Sequence, residues 1–257
     1  MSRLRESALH TPARASFESR GFVTHASLFS GSDLEAIASG VDQLQAWPEA
    51  PGRWMQYFDP APDTPEGRRL NRIENFAPYH PGLDAILRGP ALLGVASELL
   101  GEPAALFKDK INLKLPGGGG FDPHQDAQAG WSRYAEVFVT AAVAIDPATP
   151  RNGCLELARW PHRRELIGSL WQPLTGEELT GIPFEPLPMQ PGDAVFFDAY
   201  LPHRSGPNRT DHARRVLYVT YNRASEGDHR EQYYTDKRRT YPPDCERDPR
   251  REYAYRV

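Results

Sequence analysis

The sequence predicts one mainly β domain over residues 1–257, an antiparallel sandwich or jelly roll buttressed by N-terminal helices. The length suits a single large β domain, helical periodicity precedes Gly101, and short β-rich runs between turn residues follow it. No helix-length pattern separates these runs regularly, which disfavours a parallel βαβ arrangement. We therefore expect a mostly helical part over about 1–100, a β core over about 101–225 and a C-terminal extension over 226–257.

Two segments of the first part carry helix signals. The segment "SGSDLEAIASGVDQLQAW" begins with a predicted capping box, in which Ser32 is the N-cap and Glu35 follows three residues later. The segment "GPALLGVASELLG" has Pro90 in its first turn and Gly101 at its end, which is typical of a helix. The first helix is expected to bury one stripe of apolar residues at helical spacing, namely Leu34, Ile37, Val41 and Leu44.

Five later runs are predicted strands because they are rich in β-branched and aromatic residues and are bounded by Pro, Gly, Asn or Asp. They are "AALFKDKINLKL", "EVFVTAAVAID", "GCLELA", "GDAVFFDAYL" and "RRVLYVTYN". In the first of them Lys108, Lys110 and Lys114 alternate, so they share one face of the strand. Solvent exposure is the default expectation for that face, with substrate contact as the alternative if it lines the mouth of the fold.

Composition excludes several classes of protein. The net charge of -4 and the pI near 6.1 provide no basic field for nucleic acid. No run of 18 apolar residues occurs and the N-terminus "MSRLRESALHTPARASF" lacks an apolar segment, so we expect a cytoplasmic protein without membrane association. Cys154 and Cys245 lack CxxC spacing, which argues against a disulfide framework or a thiolate metal site. We expect a small-molecule partner, and the sequence contains no signal for an oligomeric state.

Two histidine–carboxylate pairs could contribute metal ligands, since residues i and i+2 of a strand point to the same face. They are His124-Gln125-Asp126 and His229-Arg230-Glu231. An iron site with two histidines and one carboxylate needs a further histidine from another strand. No histidine follows His229, and its surroundings predict a charged surface loop. The segment after Pro191-Gly192-Asp193, in contrast, contains His203. The alternative for His124 and Asp126 is a hydrogen-bonded pair at a strand edge.

An arginine follows His203 within about a dozen residues. This spacing suits a metal that shares its site with a dicarboxylate, because a guanidinium can bind the distant carboxylate through two parallel hydrogen bonds. Arg214 and Arg215 are adjacent, so they point to opposite faces of a strand. The spacing favours Arg214 for the inner face.

Several separated motifs together resemble the phytanoyl-CoA dioxygenase family. They are "FKDKINLKLPGGGGFDPHQD", "NGCLEL", "QPGDAVFFDAYLPHRSGPNRT" and "RRVLYVTYN", in family order, and the resemblance covers essentially the whole chain. It implies a double-stranded β-helix, which is a cupin-like jelly roll, and an Fe(II)- and 2-oxoglutarate-dependent dioxygenase. Such an enzyme consumes O2, converts 2-oxoglutarate to succinate and CO2, and hydroxylates or otherwise oxidises a small molecule.

The same motifs imply roles for individual residues. His124, Asp126 and His203 match the catalytic metal ligands of the family. The residues that match its 2-oxoglutarate contacts are Arg214, Ser205 and Asn112. Because halogenating relatives lack the carboxylate ligand, the presence of Asp126 implies hydroxylation or another oxidative outcome and not chlorination.

Other residues are weaker candidates. Trp131 is expected to line the cosubstrate or substrate pocket, with ordinary core packing as the alternative. Candidate substrate contacts are Arg72, Lys110, Gln128 and His162. A solvated strand edge is the alternative for Arg72.

The resemblance leaves the substrate open between a natural-product (antibiotic) intermediate and an aminoalkylphosphonate-like metabolite. Two other classes of protein remain as alternatives: a cupin-like metal-dependent isomerase or hydrolase that does not use 2-oxoglutarate, and a non-catalytic binding module. The glycines of "PGGGGFDPHQD" predict a tight turn between the strand with Asn112 and the strand with His124.

Overall fold

The computed structural model describes residues 11–253, so the first ten and last four residues of the predicted domain lie outside the described range. The helices are α1 (Thr11–Arg20), α2 (Gly31–Ala46), α3 (Pro81–Leu87), α4 (Pro90–Leu100) and α5 (Arg230–Thr240). The strands are β1 (Phe22–His25), β2 (Met55–Pro60), β3 (Arg68–Glu74), β4 (Ala104–Lys114), β5 (Phe121–His124), β6 (Phe138–Ala144), β7 (Leu155–Ala158), β8 (Phe184–Leu187), β9 (Ala194–Asp198), β10 (His203–Ser205) and β11 (Arg214–Arg223).

The strands form two antiparallel sheets. The larger has the order β1-β9-β6-β11-β4-β3-β2, and the smaller has the order β5-β10-β7-β8. Apolar residues of both sheets, such as Phe197 and Val216 from the larger and Leu155 and Leu157 from the smaller, share one core cluster. The sheets therefore pack face to face, which confirms the predicted jelly roll.

Helices α1, α2, α3 and α4 cover the outer face of the larger sheet. Ile37, Val41 and Leu44 of α2 share a second core cluster with residues of β4, β6 and β11. In β6, Val139, Ala141 and Val143 belong to this cluster, whereas Ala142 and Ala144 belong to the cluster between the sheets. The strand is buried on both faces, and this explains why its sequence is apolar except for Thr140.

The helix ends agree only in part with the sequence signals. Helix α4 has Pro90 in its first turn, and Gly101 after its end adopts a left-handed φ of 78°, as predicted. The capping box predicted for Ser32 and Glu35 is wrong, because α2 already begins at Gly31 and its N-cap is Ser30, which makes no side-chain capping bond. Ser32 lies inside the first turn, where its hydroxyl cannot act as the cap.

Three strands, β1, β2 and β3, also come from the part expected to be mostly helical. Strands β2 and β3 were missed because they bury polar residues, among them Gln56, Arg72 and Glu74, so no apolar alternation marks them. The surface loop predicted around His229 is likewise wrong, since it leads into α5, which buries aromatic side chains against the larger sheet. No helix within residues 11–253 is long and apolar enough to cross a membrane.

The four glycines make a tight turn between β4 and β5. The amide of Gly118 donates to the carbonyl of Leu115 over 2.8 Å, and Gly117 has a left-handed φ of 75°. A Cβ atom on Gly120 would lie 2.7 Å from the carbonyl oxygen of Ser205. Glycine at this position therefore lets β5 approach β10 closely.

Substitution of Gly120 by alanine is expected to lower the free energy of unfolding by about 1–3 kcal/mol, because the backbone of β10 has to move away from the new methyl group. Gly119→Ala is the matched control, since the nearest atom to its Cβ position is a side-chain oxygen of Asp59 at 3.8 Å. Urea unfolding of both variants measures the difference. Equal stability of the two variants would contradict the close approach.

Candidate active site

Two histidines and an aspartate meet where β5 pairs with β10. His124 ends β5, His203 begins β10, and the two are direct partners in the register with ring centroids 4.3 Å apart. Asp126 is not on the strand but in the first turn of the short 3₁₀-helix Asp126–Ala129. The same-face argument for a strand therefore does not apply to it, yet the ligand atoms of the three residues all lie within 4.8 Å of one another.

Both imidazoles are held in the form that binds a metal. The Nδ1 atom of His124 lies 2.6 Å from the carbonyl oxygen of Asp122, and that of His203 lies 3.0 Å from the carbonyl oxygen of Leu201. A carbonyl oxygen only accepts, so Nδ1 carries the proton and Nε2 keeps its lone pair for a metal. Burial and then the neighbouring His203 lower the pKa of His124 to about 3, and burial also lowers the pKa of His203.

Asp126 completes the donor set. Burial alone would raise the pKa of its carboxyl group, but the neighbouring His203, Lys110 and His124 lower it overall. The hydroxyl of Thr140 donates to the carboxylate over 3.3 Å. Two neutral imidazoles and one carboxylate are the ligands that fit Fe(II) and leave coordination positions open.

Arg214 lies on the inner face of β11 and is only 1% exposed. Its Nη2 donates to the carbonyl oxygen of Gly153 over 2.9 Å, while its Nε is buried without an acceptor among residues 11–253. The adjacent Arg215 points to the opposite face, as strand geometry predicts, and pairs with Asp146 at 2.8 Å. Arg214 thus has a buried donor left for a carboxylate.

Ser205, Asn112 and Lys114 are buried beside Arg214. The ammonium group of Lys114 donates to the hydroxyl of Ser205 over 2.7 Å. Asn112 shares the face of β4 with Lys114, and its Oδ1 is buried without a donor in the described part of the chain. No motif of the sequence connects Lys114 with this pocket, although its spacing of two from Asn112 places both on one face of the strand.

A cavity of about 480 Å³ borders Asp126 on another side. Trp131 lines it and packs at the same time against Phe107 and Phe138, and its indole N–H is buried without an acceptor among the described residues. The structure therefore places Trp131 beside Asp126. The charged residues that line this cavity are Lys108, Lys110, Asp126, Arg133, Asp236, Lys237 and Glu252.

Several basic side chains surround one buried carboxylate, Glu74, next to this cavity. Glu74 is fully buried and pairs with Arg72 at 3.0 Å and with Lys237 at 2.5 Å. Burial would raise the pKa of Glu74, but the charges of Lys237, Lys108, Arg72 and Lys110 hold it well below its usual range. The expected solvent exposure of the lysine face of β4 is wrong, because Lys108 and Lys114 are buried and Lys110 is half-buried.

The remaining substrate candidates lie in different places. Arg72 lines a smaller cavity of about 180 Å³ that also contains His124. Gln128 is fully buried and donates to the carbonyl oxygens of Ser169 and Gln172, both over 2.8 Å. Its amide therefore stabilises the loop that contains these two residues. The ring of His162 lies 3.4 Å from Asp198. Neither Gln128 nor His162 lines either of these two cavities.

The family model described as Phytanoyl-CoA dioxygenase (PhyH) matches residues 17–216. The chain belongs to the phytanoyl-CoA dioxygenase family. The dioxygenase is 39% identical to the 2-aminoethylphosphonate dioxygenase of an uncultured bacterium, HF130_AEPn_1, over 94% of this chain and 92% of that protein. It is 40% identical to the methylphosphonate hydroxylase of Gimesia maris over 86% of this chain and 84% of that protein.

Among solved structures, the dioxygenase resembles the epimerase SnoN from nogalamycin biosynthesis in complex with Fe3+, alpha ketoglutarate and nogalamycin RO. The TM-score is 0.68 at 19% identity, with 83% of each chain covered, so this likeness concerns the fold. The chain is an Fe(II)- and 2-oxoglutarate-dependent dioxygenase that oxidises a small molecule, as predicted. The alternative of a cupin-like isomerase or hydrolase is not favoured, since the matched relatives are a dioxygenase and a hydroxylase.

Proposed function

We propose that the dioxygenase hydroxylates a small alkylphosphonate. This class includes the aminoalkylphosphonates. The observation that carries this proposal is the positive charge of two lysines at the cavity beside Asp126, the buried Lys108 and the half-buried Lys110. A phosphonate is a compact anion with three acceptor oxygens, so it suits a subsite of buried ammonium groups. Among residues 11–253 the ammonium of Lys110 makes no hydrogen bond or ion pair and lies 4.6 Å from the ring centroid of Tyr218.

The distribution of lysines supports the same substrate class. The chain contains only Lys108, Lys110, Lys114 and Lys237, and all other basic side chains apart from histidine are arginines. Three of the four line the 480 Å³ cavity. The phosphonate relatives match most of this chain, whereas the likeness to SnoN is one of fold, so the charge and the relatives together favour a phosphonate over a natural-product intermediate.

The chain's own residues have separable tasks in this proposal. His124, Asp126 and His203 hold Fe(II), while Arg214, Ser205 and Asn112 hold 2-oxoglutarate. Bound iron supplies the O2-dependent oxidation in which 2-oxoglutarate becomes succinate and CO2 and one oxygen atom enters a C–H bond of the substrate.

Other groups position the substrate and keep out water. Lys108 and Lys110 bind the phosphonate near Asp126, and the aromatic wall that includes Trp131 and Tyr233 excludes water from the reacting carbon. The carbonyl bonds to both Nδ1 atoms fix the imidazoles in place. Because the carboxylate of Asp126 takes one ligand position, we expect hydroxylation and not halogenation. A cytoplasmic location and the absence of nucleic-acid binding stay predictions of the sequence.

The proposed substrate class is tested by incubating the protein with Fe(II), 2-oxoglutarate and O2 together with one candidate at a time. The candidates are methylphosphonate, 2-aminoethylphosphonate and β-alanine, which replaces the phosphonate of the second compound by a carboxylate. We expect substrate-dependent succinate and a new phosphorus signal in the ³¹P NMR spectrum with a phosphonate, and background succinate with β-alanine. Background succinate with both phosphonates would reject the substrate class.

Lys110→Met is expected to raise the KM for the phosphonate about 10- to 100-fold, because a charge-assisted hydrogen bond is worth about 1.5–3 kcal/mol. The KM for 2-oxoglutarate is expected to stay unchanged. Lys110→Arg retains the charge and should restore part of the affinity. Steady-state kinetics with each substrate varied separately measure both constants, and an equal rise in both KM values would contradict a phosphonate subsite.

A further inference from the structure

Lys114 and Arg214 form a buried pair of like charges. They are direct cross-strand partners in the register of β4 and β11, and each is 1% exposed. Like charges that face each other across two strands are destabilising, and burial increases the cost. Burial and then the charge of Arg214 lower the pKa of Lys114 to about 6. Such a pair is unfavourable for folding alone, whereas a dianionic ligand would compensate it.

The ammonium of Lys114 is aimed at three acceptors. It donates to the hydroxyl of Ser205 over 2.7 Å, to the carbonyl oxygen of Gly153 over 3.3 Å and to that of Gly206. An ammonium group has three N–H donors and no acceptor, so these three partners use its whole capacity. Arg214 donates to the same carbonyl of Gly153, which places the two cations side by side.

Gly153 makes this arrangement possible. Its φ of 74° is left-handed, and a Cβ atom there would lie 2.0 Å from the carbonyl oxygen of Gly206 and 2.9 Å from the Nζ atom of Lys114. Without a side chain at this position, the two carbonyl groups can converge on one ammonium.

The lysine also determines the direction of the Ser205 hydroxyl. Since Lys114 donates to the Ser205 oxygen, the hydroxyl hydrogen must point to another acceptor. Within residues 11–253 no acceptor receives it. The Nε–H of Arg214, which has no acceptor among the described residues, and the hydroxyl of Ser205 thus belong to two residues that both adjoin Lys114.

We propose that Lys114 is a positioning residue for 2-oxoglutarate, which turns the Ser205 hydroxyl toward the carboxylate that Arg214 binds and adds a second positive charge beside it. This inference rests on the proposed placement of 2-oxoglutarate against Arg214 and Ser205. It does not depend on which phosphonate is the substrate.

Protonation of Lys114 and cosubstrate binding should be linked. A neutral amine would donate to two carbonyls and accept the Ser205 proton, which would turn the hydroxyl away from the carboxylate. The bound dianion raises the pKa of Lys114 above about 6, so binding takes up a proton above that pH. Ser205 and the ring of Phe121 are uncharged, and the ionisable groups that act on Lys114 are Arg214, Cys154 and Glu156.

The test measures equilibrium binding of 2-oxoglutarate to the Mn(II)-loaded full chain by isothermal titration calorimetry. Lys114→Met is expected to raise the Kd at least about tenfold at pH 6.5, with an unchanged KM for the phosphonate in the Fe(II) enzyme. In a double-mutant cycle with Ser205→Ala, the combined effect should be smaller than the product of the single effects. An unchanged Kd, or purely multiplicative effects, would overturn the proposal.

Two further measurements cover the cases in which Lys114→Met does not fold or 2-oxoglutarate does not bind at Arg214. If Lys114→Met does not fold, the wild-type protein alone provides a test, since its Kd should rise by up to about tenfold per pH unit above pH 6 with measurable proton uptake. A Kd that is independent of pH would then overturn the proposal. If Arg214→Met leaves the Kd unchanged, the proposed placement of 2-oxoglutarate fails and the role of Lys114 fails with it.

Discussion

Replacement of His203 by alanine is expected to reduce kcat/KM by roughly 10³-fold or more, the equivalent of about 4 kcal/mol of transition-state stabilisation. His203 is buried, and its Nδ1 is already engaged by the carbonyl oxygen of Leu201, so only its Nε2 is available for iron. Without this nitrogen the two remaining ligands lie on one short segment, His124 to Asp126. We therefore expect the variant to lose bound iron together with activity.

Iron content after anaerobic reconstitution and succinate formation measure the two losses separately. The visible charge-transfer band that appears when 2-oxoglutarate is added to the Fe(II) protein should also be absent from the variant. His212→Ala is the control, because the His212 side chain is 85% exposed in a polar turn. A His203→Ala protein that keeps one iron per chain and full activity would exclude His203 as a ligand.

Arg214→Met is expected to raise the KM for 2-oxoglutarate by about 10²- to 10³-fold, because breaking a buried charge pair costs about 3–5 kcal/mol. The variant should still bind iron, since Arg214 is not among the three grouped side chains that could hold a metal ion. This outcome would separate loss of cosubstrate affinity from loss of the metal. Steady-state kinetics at saturating phosphonate measure the effect.

Arg215→Met is a matched control for this prediction. The two arginines are adjacent in sequence, but Arg215 faces outward and pairs with Asp146 and Asp42. Its loss should lower stability slightly while the KM for 2-oxoglutarate stays as in the wild type. Equal KM values in the two variants would argue against Arg214 as the cosubstrate anchor.

Local patterns were sufficient for much of the fold. The apolar stripe of α2, the proline and glycine at the ends of α4, and the long apolar strands each follow from spacing and residue type. Strands β2 and β3 and helix α5 could not be predicted in this way, because their buried positions include polar or charged residues. Glu74 and Arg72 of β3 are buried as a pair, and Glu74 also pairs with the half-buried Lys237 of α5, which is distant in the sequence.

Spacing and the family motifs were enough to select His124, Asp126, His203 and Arg214 as site candidates from the printed sequence. The surroundings of these residues could be read only from the three-dimensional arrangement. It turned the lysine face of β4 inward, placed Lys114 opposite Arg214, and engaged Gln128 in a loop contact. The physical reason is that a motif is a local property, whereas burial and charge pairing depend on which distant strands lie next to one another.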